Sequence, residues 1–164
     1  MQLIKKIIKV CCEISAKIGM AAIFILLFLT VSDVIGRFVF NKPIPGTFEI
    51  TKILFALSVF FSLSVAQING ENLGITIIYN NFPIRVKGVV DFISSLISMT
   101  MFSIALVQTI KYAARMQTTN TITSVLRWPM YPWIYLAAVG MFVLVLALIW
   151  DFIVSIKELK GESS

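Results

Sequence analysis

Four charged residues near one turn are the strongest candidates for chemistry in this sequence: Asp33, Arg37, Glu49 and Lys52. Asp33 and Arg37 lie one helical turn apart, and Glu49 and Lys52 are three positions apart, so each pair shares a helix face. Between them runs Asn41-Lys42-Pro43-Ile44-Pro45-Gly46-Thr47, a turn punctuated by two prolines and a glycine. Counted back from that turn, Arg37 and Glu49 lie at similar depth, as do Asp33 and Lys52. The expectation is two cross-helix ion pairs, because an unpaired charge in hydrocarbon costs several kcal/mol. Such a quartet serves either as a structural clamp or as an ion-transport site. The clamp is favoured, since near-neutral charges at an interface need no transported ion, and Glu49 is further suited to a helix N-terminus.

Other chemistry is sparse. The 164 residues include no His, the commonest general base and metal ligand. Cys11 and Cys12 are adjacent, without the second pair or His that a metal site would need. A buried helix face is the better reading for them than a disulfide or palmitoylation site. No nucleophile–base–acid set, glycine-rich phosphate loop or basic–aromatic nucleic-acid patch is present, so an enzyme ranks last and no cofactor is expected in this chain.

The elements that must position the quartet follow from hydropathy. Apolar residues make up 59% of the chain and charged ones 13%, about half the ~25% of ordinary soluble domains. A single soluble core of this length cannot bury so much apolar surface. A spanning helix needs about 20 apolar residues, and four stretches qualify, at about 18–40, 48–69, 86–110 and 130–152. The fold class is therefore all-α, an integral membrane four-helix bundle. Residues 1–17 differ: Leu3, Ile4, Ile7, Ile8, Cys11 and Ile14 recur at helical spacing opposite Lys5, Lys6, Lys9, Glu13 and Lys17. This pattern describes a basic amphipathic helix at a membrane surface, ahead of an 18–164 spanning domain. A cleaved signal peptide is the weaker rival, because its n-region would be unusually long.

Within the spans, Ser58, Ser62 and Ala66 repeat every four residues, as do Ser94 and Ser98. Such stripes let helices approach closely, either within this bundle or against a second membrane protein. Trp133 and Trp150 bracket the last span, about 26 Å apart on a helix, and with Trp128 they mark expected interface belts. The 70–84 link carries Gly70, Gly74 and Pro83, and the 111–129 link is rich in Thr and Ser. The latter reads as a solvated linker in preference to a partner-docking loop.

Orientation follows from Lys and Arg near the spans. With the N-terminus inside, Lys5, Lys6, Lys9, Lys17, Arg85, Lys87, Lys157 and Lys160 lie inside, and Arg37, Lys42, Lys52, Lys111, Arg115 and Arg127 lie outside. The bias favours cytoplasmic N- and C-termini. The net charge of +6 is thereby a statement about membrane orientation and not a sign of nucleic acid.

Two stretches resemble a known family. The run Asp33-Val34-Ile35-Gly36-Arg37-Phe38-Val39-Phe40-Asn41-Lys42-Pro43-Ile44-Pro45-Gly46-Thr47-Phe48-Glu49-Ile50 is similar to the signature region of the small membrane subunit of TRAP transporters (tripartite ATP-independent periplasmic transporters). The run from Thr123 through Arg127, Trp128, Pro129 and Trp133 to Tyr135 also fits, as do the length and four-span layout. The family's Gly-x-His-Ile after the second span is here Gly70-Glu71-Asn72-Leu73-Gly74-Ile75, without the His.

The resemblance implies an auxiliary small permease subunit in the bacterial inner membrane. Its partners would be the lipid bilayer, a large multi-span transport subunit holding the substrate and sodium sites, and a periplasmic substrate-binding protein. The small subunit would brace the large one in a sodium-coupled secondary transporter of organic acids. Lys42, Arg115 and Arg127 become candidate periplasmic docking residues. The alternative is a self-sufficient four-span proton-coupled transporter, which would want a carboxylate at mid-span. The span midpoints fall near Leu29, Val59, Ser98 and Gly140.

Overall fold

A computed structural model describes residues 2–68 and 84–159. The 70–83 connection, and the side chains of Lys5, Arg85, Lys87, Lys157 and Lys160, lie outside the described residues. Four helices account for nearly all of the rest: α1 (Gln2–Val39), α2 (Thr47–Ile68), α3 (Ile84–Thr118) and α4 (Tyr131–Leu159). Each contains a stretch long and apolar enough to cross a membrane. The all-α membrane architecture read from the hydropathy is the observed one.

Three boundaries differ from the expectation. The surface helix at 1–17 and the first span are one uninterrupted α1 of 38 residues. The apolar period of the first stretch continues in phase into the second, and no proline intervenes to break it. At ~57 Å this helix is nearly twice the ~30 Å hydrocarbon thickness. Helix α3 also outruns its expected end at 110, continuing two turns through Lys111, Tyr112 and Arg115 to Thr118. Its Ala, Arg, Met, Gln and Lys residues favour helix whether or not lipid surrounds them. The link expected at 111–129 is therefore only 119–130.

The helix ends carry specific signals. Asn41 takes a left-handed conformation (φ 53°) just past α1, a region Asn tolerates better than most residues. The N–H groups of Phe40 and Lys42 both close on the Gly36 carbonyl. At the end of α3, Asn120 is left-handed (φ 47°). There the Thr121 N–H reaches the Met116 carbonyl at 3.1 Å and the Asn120 N–H reaches Gln117 at 3.3 Å, a Schellman ending. Gly46 opens α2, its carbonyl accepting from the N–H groups of Glu49 and Ile50.

Helix α4 is the centre of the molecule. It packs on α1, α2 and α3, whereas α1 and α2 form a hairpin and α3 packs extensively on α4 alone. Of the four spans, the last is the most buried and the third the least. The core joins Leu57 and Phe61 of α2 to Ala137 of α4, flanked by Ile53, Phe60 and Trp133. Two glycines permit the closest approaches. A Cβ on Gly19 would stand 2.5 Å from Ser62 Oγ, and one on Gly140 would stand 3.2 Å from the backbone of Phe60 and Phe61. Helix α3 is held to α4 by the Phe92 and Phe152 rings (5.4 Å) and by Ser95 and Ser155 (3.3 Å).

Candidate functional site

The α1–α2 turn and the 119–130 loop lie at the same end of the molecule, and the charge quartet stands between them. Its pairing is not the expected one. Arg37 Nη2 donates to Asp33 Oδ2 at 2.8 Å, within α1. Asp33 Oδ1 accepts the Ile44 N–H at 2.8 Å, and the Thr47 hydroxyl lies 3.2 Å from the same oxygen. Glu49 meets neither Arg37 nor Lys52 but accepts two backbone donors, Val125 N–H at 2.8 Å and Leu126 N–H at 3.0 Å. Lys52 places its ammonium 4.1 Å from the centre of the Phe48 ring. Among the described residues, the Arg37–Asp33 pair is the one salt bridge.

The Pro-Gly turn brings the Ile44 N–H to Asp33, and the 119–130 loop brings the Val125 and Leu126 N–H groups to Glu49; a backbone N–H makes a strong charge-assisted bond without the entropy cost of ordering a long cationic side chain. Asp33 is thus a staple across its own turn: its side chain is 9% exposed, against 65% for Arg37. Glu49 is a clasp between two loops.

The loop that Glu49 holds is folded. The Met130 N–H donates to the Thr121 carbonyl at 3.2 Å, and the Thr123 N–H donates to the Trp128 carbonyl at 2.9 Å. The Trp128 N–H returns to Thr123 Oγ1 at 3.0 Å. The linker is thus a small antiparallel turn, with Arg127 left-handed (φ 54°) and most of its residues still exposed. It seats Leu126 against Gly46, where a Cβ would come within 2.5 Å of Leu126 Cγ. Gly46 has φ 80°, a conformation that glycine adopts freely. Lys42, Arg115 and Arg127 are all exposed at this end.

The other candidates are dispersed. Ser58 is buried and Ser62 half-buried where α2 meets Gly19 of α1, and Ala66 is half-buried further along. On α3, Ser94 is exposed and Ser98 half-buried, while Ser95 is the residue that reaches α4. Trp128 and Trp133 stack at the loop end, with centroids 6.1 Å apart. Trp150, expected in an interface belt, is buried within the protein. Cys12 is buried and Cys11 exposed, both free thiols. Away from the loops, Gln67 Nε2 donates to Asp151 Oδ2 at 2.6 Å, joining α2 to α4. Sequence reading passed over this pair; its signal was an acid directly following a charge-free apolar run.

The profile of the DctQ component of tripartite ATP-independent periplasmic transporters matches residues 26–158. The chain belongs to this family. The match takes in both loops, Asp33, Glu49 and the whole of the folded 119–130 segment. No curated protein and no solved structure matches the chain. As a DctQ component it is the small membrane subunit of a TRAP transporter, a transport component in its family's description and a four-helix transmembrane protein in its structure. At the loop end both carboxylates accept backbone N–H groups from the loops, and Lys42, Arg115 and Arg127 are exposed.

Proposed function

We propose that the chain is the auxiliary subunit of a sodium-coupled, binding-protein-dependent secondary transporter of organic acids. It braces the large transport subunit and helps to dock the periplasmic binding protein. Both termini are cytoplasmic, which puts the loop end in the periplasm of an inner-membrane protein. Sodium and substrate sites belong to the large subunit.

The observation that carries the bracing role is the open helix layer. Among the described residues helix α3 packs extensively only on α4, and apolar residues such as Ile97, Met101, Ile104 and Val107 are exposed along it. A partner membrane protein gains packing against such a surface. The docking role is supported by charge. At the loop end Asp33 and Glu49 are occupied within the chain, while Arg37, Lys42, Arg115 and Arg127 stay exposed. That cationic surface suits an acidic face on a soluble partner and would speed its encounter.

Purification of the tagged chain in mild detergent should bring down a much larger membrane protein. Uptake of an organic acid by liposomes holding this chain alone would overturn the proposal and restore the self-sufficient proton-coupled transporter. Normal uptake in cells lacking the chain would also overturn it.

A further inference from the structure

Because α2 and α3 both flank α4 but do not pack extensively on each other, a groove of about 240 Å³ runs between them, floored by α4. Ala56 and Phe60 of α2, Trp133 and Ala137 of α4 and Thr109 of α3 line it, and Lys52 stands at its loop-end rim. The Thr109 hydroxyl donates to the Ala105 carbonyl at 2.8 Å, so that side chain already has its polar partner. From Lys52 to Phe60 the groove descends ~12 Å, close to the ~15 Å of hydrocarbon in one leaflet.

We infer that this groove holds one acyl chain of a phospholipid whose phosphate is seated on Lys52. The lining excludes a polar ligand. Charge then selects a phosphate, since no carboxylate among the described residues pairs with Lys52, whose ammonium lies over the face of Phe48. A lysine at this depth extends toward the headgroups. Stacked Trp128 and Trp133 stand at the same end, where aromatic rings favour the headgroup level. The lipid would fill the gap between α2 and α3 and so hold α3 against the other helices.

Native mass spectrometry of the full chain, released from detergent micelles supplied with phosphatidylglycerol, tests this. Wild type should retain the lipid as a bound adduct. Ala56→Trp, which fills the groove and leaves the charge, should lose it. Lys52→Gln, which removes the charge from an exposed side chain and leaves the groove, should weaken it, whereas Lys111→Gln should behave as wild type. Wild-type retention by Lys52→Gln overturns the phosphate seat, and wild-type retention by Ala56→Trp overturns the acyl site. Crosslinking from position 56 to a second membrane protein in the intact complex would also overturn it, by giving the groove to a partner.

Discussion

Glu49 and Leu126 stand far apart in the chain, yet the Leu126 N–H donates to the Glu49 carboxylate at 3.0 Å, beside that of Val125 at 2.8 Å. The first residues of α2 thereby hold the loop that leads into α4. The two loops are joined into one surface, on which Lys42 and Arg127 are exposed.

Glu49→Gln keeps the size of the side chain but leaves one acceptor oxygen and no charge. The folded 119–130 loop should loosen while the spans remain intact. Hydrogen exchange at the Val125 and Leu126 amides should accelerate on the order of tenfold, as expected when a charge-assisted bond restrains a local opening. Exchange in the middle of α4 should not change. Unaltered exchange at both amides would show that Glu49 is not the restraint.

Arg37 and Glu49 are not partners, so exchanging their charges should repair nothing. Arg37→Glu and Glu49→Arg each remove a different interaction, and the double variant should assemble as poorly as the two losses combined, because unconnected sites act additively. Rescue by the double swap, measured as recovery of folded protein from membranes, would restore the cross-helix pair that side-chain types alone suggest.

That contrast shows what the sequence made legible. The four spans were readable because a bilayer demands about 20 apolar residues wherever a helix crosses it, a property of composition that packing cannot alter. The α1–α2 turn was readable from Pro43, Pro45 and Gly46. The partners of Asp33 and Glu49 were not, because the donors are the backbone N–H groups of Ile44, Val125 and Leu126, and every non-proline residue carries one. Reading by type matches charge with charge and overlooks such donors. The continuity of α1 through residue 17 was not legible for a related reason: Lys5, Lys6, Lys9 and Lys17 change which solvent suits the helix without changing its helicity. Ser95 and Ser94 are neighbours of the same type, and only the rotation of α3 on α4 decides which one meets Ser155.

Gly46 tests the loop contact from its other side. Gly46→Ala must hold a left-handed backbone and push Leu126 aside, at a combined cost of about 2–4 kcal/mol. Leu126→Ala vacates the space that the new methyl group would occupy but leaves the φ of 80° in place. The double variant should therefore melt in detergent at a higher temperature than additivity predicts, while staying below wild type. Strict additivity would mean that Leu126 does not occupy the space over Gly46.

The α1–α2 contact makes the corresponding prediction inside the membrane. Water-driven burial contributes little between helices in lipid, so close packing at small residues must supply the attraction. A Cβ on Gly19 would stand 2.5 Å from Ser62 Oγ, with the Ser58 carbonyl at 3.1 Å and the Ser62 nitrogen at 3.2 Å. A hydroxyl can be removed by mutation, but the backbone cannot. Gly19→Ala should therefore be tolerated better in a Ser62→Ala background than alone, whereas Gly19→Leu should separate the helices in either background, at about 1–3 kcal/mol. Cys12 and Ser64 are both buried and neighbour each other across the same interface, which supplies a readout. With Cys11→Ser and Ser64→Cys in place, oxidation should join Cys12 to the new thiol efficiently beside Gly19, partly beside alanine and poorly beside leucine. Equal yields in all three would show that the glycine does not set the distance between α1 and α2.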